Sequence, residues 1–221
     1  MPRLRLLLPL MLLAASGPPA RAQLSLTLGA TGATVSGLAP GARVALLAAM
    51  RHEQDYSGIT YAFDSEQIDT DNDGALSWDL GQPLEPKTVV VAVELATGAY
   101  TWATPAEFPL AVEPLPNAPW LLSPDASLAG WRLPANRVKT VLVRPGVGAW
   151  LAEVWEGRPG LSDTELDGEA VLDFSSLHPL AAESPWSGPP QAGDRLVGLA
   201  PNSFEIWAWQ VTGTEANGGG E

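Results

Sequence analysis

The chain contains no cysteine and only two histidines, and its 12 Lys and Arg stand against 25 Asp and Glu in 221 residues. Without cysteine there can be no disulfide, thiolate metal ligand, cysteine nucleophile or thiol for a bacterial lipoprotein anchor. Folding must rest on a buried core alone. His52 and His178 lie in no G-x-S-x-G or H-E-x-x-H setting, so neither carries a local nucleophile or metal signature. His52 in "RHEQDY" has Glu53 and Asp55 beside it, as a general acid or base would, but a solvated loop is the default for such a run. The sequence therefore reads as non-enzymatic, with a secreted hydrolase as the third-ranked function. A 3.6-residue apolar period is also missing from every long window after residue 22, which argues against helices.

The shortage of basic residues is greatest after the N-terminus. Residues 1–22 place Arg3 and Arg5 before an apolar run from Leu6 to Ala15 and end in Ala20-Arg21-Ala22, the order of a secretory signal cleaved after Ala22. The run is too short to cross a bilayer, which takes about 20 residues, and no later segment spans. Cleavage removes three arginines and no acid, so 9 basic residues face 25 acidic ones and the mature net charge is −16. Such a surface repels nucleic-acid phosphates and attracts cations. The expected location is secreted, whether periplasmic, cell-surface or extracellular, and the expected partner is a protein or carbohydrate at the cell surface.

What is present in quantity is glycine and proline, 22 and 21 residues, which suits many short strands joined by tight turns. Period-two alternation appears at 24–28, 58–63 and 75–80, where Leu76, Trp78 and Leu80 share a face against Ser77 and Asp79. Residues 43–50 and 88–95 are mostly apolar strands, and "TGAYTWAT" follows the second across a turn. The halves also align: 39–50 over 144–155 and 88–102 over 193–207 at an offset of 105, and 69–80 over 163–174 at 94. The expected organisation is a signal at 1–22, β-sandwich domains at 23–112 and 113–212, and a disordered tail at 213–221. The boundary falls in 109–120, where four prolines break any strand.

"TVSGLAPGARVAL" at 34–46 resembles the bacterial immunoglobulin-like and fibronectin type III-like modules, in which a strand ends in a Leu-x-Pro-Gly turn and the next enters the core. Val44 stands where the fibronectin type has a tyrosine, and the second half keeps Val143 and Pro145-Gly146. The resemblance implies an all-β chain of two tandem immunoglobulin-like β-sandwich domains. It also implies a spacer, adhesive or binding role in an exported protein.

Two features bear on ligands. "DTDNDG" at 69–74 sets Asp69, Asp71 and Asp73 at alternate positions before a glycine, like the start of an EF-hand loop, but Leu80 stands where the bidentate glutamate belongs. A looser calcium site on a β-loop remains. The favoured alternative is a tight hairpin turn, since Asn-Asp-Gly tolerates positive φ and aspartates bond the turn's own amides. Its counterpart in the second half keeps Asp163, Glu165, Asp167 and Gly168. The second feature is nine tryptophans. Trp207 and Trp209 share one strand face and Trp186 lies in a loop, so together they form the candidate platform for a carbohydrate-binding module, with packing between sheets as the favoured alternative.

Overall fold

The computed structural model describes residues 23–51, 60–106, 115–116, 121–122, 128–132, 137–155, 169–173, 178–179, 190–200 and 204–211. The expected signal and tail lie outside them. The chain is all-β, and the described residues contain no helix. The first half carries β1 (Ser25–Leu28), β2 (Gly32–Ser36), β3 (Arg43–Arg51), β4 (Thr60–Ile68), β5 (Ala75–Asp79), β6 (Lys87–Glu94) and β7 (Tyr100–Ala103). The second carries β8 (Leu115–Pro116), β9 (Leu121–Leu122), β10 (Leu128–Arg132), β11 (Arg137–Arg144), β12 (Gly148–Trp155), β13 (Glu169–Asp173), β14 (His178–Pro179), β15 (Arg195–Ala200) and β16 (Glu205–Gln210).

Four sheets result, ordered β1-β2-β5, β4-β3-β6-β7, β13-β10-β9 and β14-β12-β11-β15-β16-β8. Every described pairing is antiparallel except β16 with β8, which pair in parallel at Trp207 with Leu115 and Ala208 with Pro116. The proline-rich connector thus contains a two-residue strand where none was expected.

In the sheet of β1, β2 and β5, the alternation read from the sequence at 75–80 holds in β5, and β2, which was not read as a strand by alternation, follows the same pattern. Ala33, Val35, Leu76 and Trp78 are buried, whereas Thr34, Ser77 and Asp79 face out, with the Thr34 and Ser77 hydroxyls 3.1 Å apart. β3 and β6 do not alternate, because both of their faces are covered. Val44, Leu46, Ala48, Val90 and Ala92 join Val35, Leu76 and Trp78 in one buried cluster. Ala45, Leu47, Ala49, Val89, Val91 and Val93 join Val141, Val143, Ala149, Val197, Leu199, Phe204 and Ile206 of the second half in another. A strand buried on both faces must be apolar at consecutive positions, which is why 43–50 and 88–95 read as unbroken apolar runs.

The strand order of the two halves corresponds: β1-β2-β5 matches β9-β10-β13, and β4-β3-β6-β7 matches β12-β11-β15-β16. This changes one of the sequence alignments. The counterpart of β3 is β11, which starts 94 positions later, the same offset as β13 from β5. That offset brings Leu47 onto Val141 and Ala49 onto Val143, all four in the shared cluster. The likeness of 39–50 to 144–155 reflects a Pro-Gly turn used twice in different places. Ala42 N–H donates to the Ala39 carbonyl at 3.0 Å ahead of β3, with Gly41 at φ 71°. Val147 N–H donates to the Arg144 carbonyl at 3.0 Å after β11, with Gly146 at φ 76°. Pro followed by Gly at positive φ is the chemistry of a type II turn, and it marks a turn without saying which one.

Candidate functional site

The acidic turn is not a hairpin. β4 pairs with β3 and β5 with β2, so residues 69–74 carry the chain from one sheet to the other. The loop runs beside the other crossing of the first half, 37–42, and is stitched to it at both ends. Asp69 N–H donates to the Ala42 carbonyl at 2.9 Å, and Leu38 N–H donates to the Gly74 carbonyl at 3.0 Å. Asn72 at φ 62° and Gly74 at φ 80° supply the left-handed conformations expected of Asn-Asp-Gly. A Cβ on Gly74 would meet the Leu38 carbonyl oxygen at 3.1 Å, so the stitch also favours glycine.

The fold brings the three aspartates together. One carboxylate oxygen from each of Asp69, Asp71 and Asp73 lies within 4.8 Å of the others, a grouping able to hold a metal ion. Asp71 and Asp73 are exposed, and the Asp73 carboxylate accepts from Ala75 N–H at 2.8 Å. Asp69 is 1 % exposed. Its Oδ2 accepts from Gly74 N–H at 3.1 Å, while its Oδ1 is buried with no hydrogen-bond partner. Among the described residues no Lys or Arg forms an ion pair with any of the three.

A comparison with protein-family models and another with curated proteins were made for the chain. Neither finds a match.

Of the other sites expected from the sequence, one residue can be placed by its burial. Trp209 is 5 % exposed, so its ring offers no open face for a sugar. Trp207 precedes it by two residues on β16, opposite Gly198, and Trp186 lies outside the described residues. His52, Asp163, Glu165, Asp167 and Gly168 also lie outside them. His178 opens β14 opposite Leu151.

An aromatic pair that sequence reasoning passed over is Tyr100 and Trp102 on β7. Their rings stack with centroids 6.4 Å apart at 24°, half-buried against the cluster shared by the two halves. The matching signal was present, since Tyr100 and Trp102 are two apart in a strand and so share a face. Burial raises the Tyr100 phenol above its usual value of 10.0. The folded state then holds that proton more tightly than the unfolded state does. The contribution is complete below about pH 10 and disappears as pH rises through the folded value. Alkaline melts should therefore fall off less steeply in Tyr100→Phe than in wild type above about pH 10. Identical alkaline profiles would mean that Tyr100 titrates as a free phenol does.

Proposed function

We propose that the protein is an exported, non-enzymatic structural module in which two like immunoglobulin-type sandwiches join face to face as one stiff unit that spaces or presents a binding surface. The observation that carries this reading is the buried cluster to which β3 and β6 of the first half and β11, β15 and β16 of the second all contribute. Interfaces between independent domains are more polar than a core and leave room for relative motion. The buried members of this one are aliphatic apart from Phe204 and each is 5 % exposed or less, with Tyr100 and Trp102 packed half-buried against them. Such a seam behaves as a core and leaves no hinge. Support for the duplication comes from the matching strand order and from the offset of 94 shared by β3 with β11 and β5 with β13. Seven strands split between two sheets in the first half agree with a sandwich module.

The test is to divide the chain. Residues 23–112 produced alone would bare Ala45, Leu47, Ala49, Val89, Val91 and Val93 to water. We expect that fragment to precipitate or dimerise, while the mature chain stays monomeric and melts in one calorimetric transition. A soluble monomeric fragment melting near the temperature of the intact chain would refute the shared core.

A further inference from the structure

We propose that the loop Asp69–Gly74 is a calcium site, an inference that does not depend on how the two halves are joined. Its first support is spacing. Calcium binds oxygen at about 2.3–2.6 Å, so ligands on opposite sides of one ion stand roughly 4.6–5.2 Å apart. The carboxylate oxygens of Asp69, Asp71 and Asp73 fall within 4.8 Å of one another, inside that sphere before any adjustment.

The second and independent support is the state of Asp69. A buried carboxylate needs partners on both oxygens, and the chain contains one that has them. Asp194, also 1 % exposed, receives Arg144 Nε on Oδ1 at 2.9 Å, and Arg144 Nη2 and Gln191 N–H on Oδ2 at 2.8 and 2.7 Å. Asp69 has only the Gly74 amide on Oδ2, and its Oδ1 is left without a donor. An oxygen buried in that condition is costly unless something else satisfies it. Beside two more carboxylates, the ligand that fits is a cation, because any added donor must also offset three negative charges.

The choice of ion follows from the donors. Three carboxylates are hard oxygen ligands, and no thiolate exists in the chain to favour a softer metal. Asp71 and Asp73 are exposed, so the open side leaves room for the waters and carbonyl oxygens that bring calcium to six or more ligands. Magnesium requires near-ideal octahedral geometry at about 2.0–2.1 Å, which an unequal, one-sided set of carboxylates serves poorly. The bonds from Asp69 to Ala42 and from Leu38 to Gly74 hold the loop ends in place, so little ordering remains for the ion to drive.

The mature chain, stripped with a chelator and dialysed, should be titrated with calcium chloride by calorimetry and melted with and without calcium at constant ionic strength. A dissociation constant of about 10⁻⁴–10⁻³ M is expected, in the range of extracellular modules. With free calcium roughly tenfold above it, Tm should rise by about 3–6 °C. Asp71→Asn with Asp73→Asn should melt like the calcium-free wild type yet show no rise, since both residues are exposed and the amide preserves the acceptor for Ala75 N–H. Magnesium should give a smaller rise than calcium. Absence of heat and an unchanged wild-type melt would overturn the site. Equal rises in wild type and the double variant would also overturn it, since they would reflect general screening of an acidic surface. Either failure leaves the fragment experiment on the shared core unaffected.

Discussion

Leu47→Ala should destabilise both halves of the chain at once. Leu47 is fully buried in β3, on the face that meets Val141, Val143 and Val197. Truncating a buried leucine costs about 2–5 kcal/mol, from lost transfer energy and the cavity left behind. For a chain of this length that is a Tm fall of roughly 4–20 °C. The location of the loss matters more than its size. Were each half an independent sandwich, the cost would stay in the first, and the amides of β11 and β15 would exchange as in wild type. With a common core, hydrogen exchange should accelerate at Val141 and Val197 together with Val91. Faster exchange confined to residues 23–106 would show that the halves unfold separately.

Arg144→Ala should cost about 3–5 kcal/mol, far more than the loss of an exposed ion pair. The Arg144 and Asp194 side chains are 14 % and 1 % exposed and meet through two nitrogens and two oxygens. Removing the guanidinium leaves the carboxylate buried beside the Gln191 amide, whose N–H donates to Oδ2 at 2.7 Å. The first half shows how the same corner is built without charge. Met50 pairs with Thr88 across β3 and β6, where Arg144 and Asp194 face each other across β11 and the residue before β15. Met50 and Thr88 are both fully buried. Arg144→Met with Asp194→Thr should therefore recover roughly half or more of the loss, as when an apolar pair replaces a buried ion pair. Urea unfolding of the single and double variants supplies the numbers. A cost below about 1 kcal/mol for Arg144→Ala would mean that solvent screens the pair.

A strand with one face buried and the other wet was legible in the sequence at β5, because alternation has only one explanation there, whereas the equally alternating β2 was passed over. β3 and β6 were located correctly, but their meaning was not. Seven consecutive buried residues, Val44 to Met50, exceed what a two-sheet sandwich requires of a strand with one solvent face. That excess was the sign of a third layer. The alignment of 39–50 with 144–155 went astray for a different reason, since Pro-Gly encodes a local turn while strand identity is set by distant partners. For the site, the alternate aspartates were visible at once, but that the loop crosses between sheets and seals Asp69 from water depends on Leu38, Ala42 and pairings more than 20 residues away.

The parallel pairing of β8 with β16 bears on solubility. An open sheet edge is a template onto which a foreign strand can add, and six strands make a wide sheet. At the edge beyond β16 the outermost paired position is Leu115–Pro116, two residues long, and a proline has no amide hydrogen to offer. The connector that leads into the second half also closes one edge of its sheet. A chain that must keep its apolar strands from recruiting those of its neighbours carries the stop signal within its own linker.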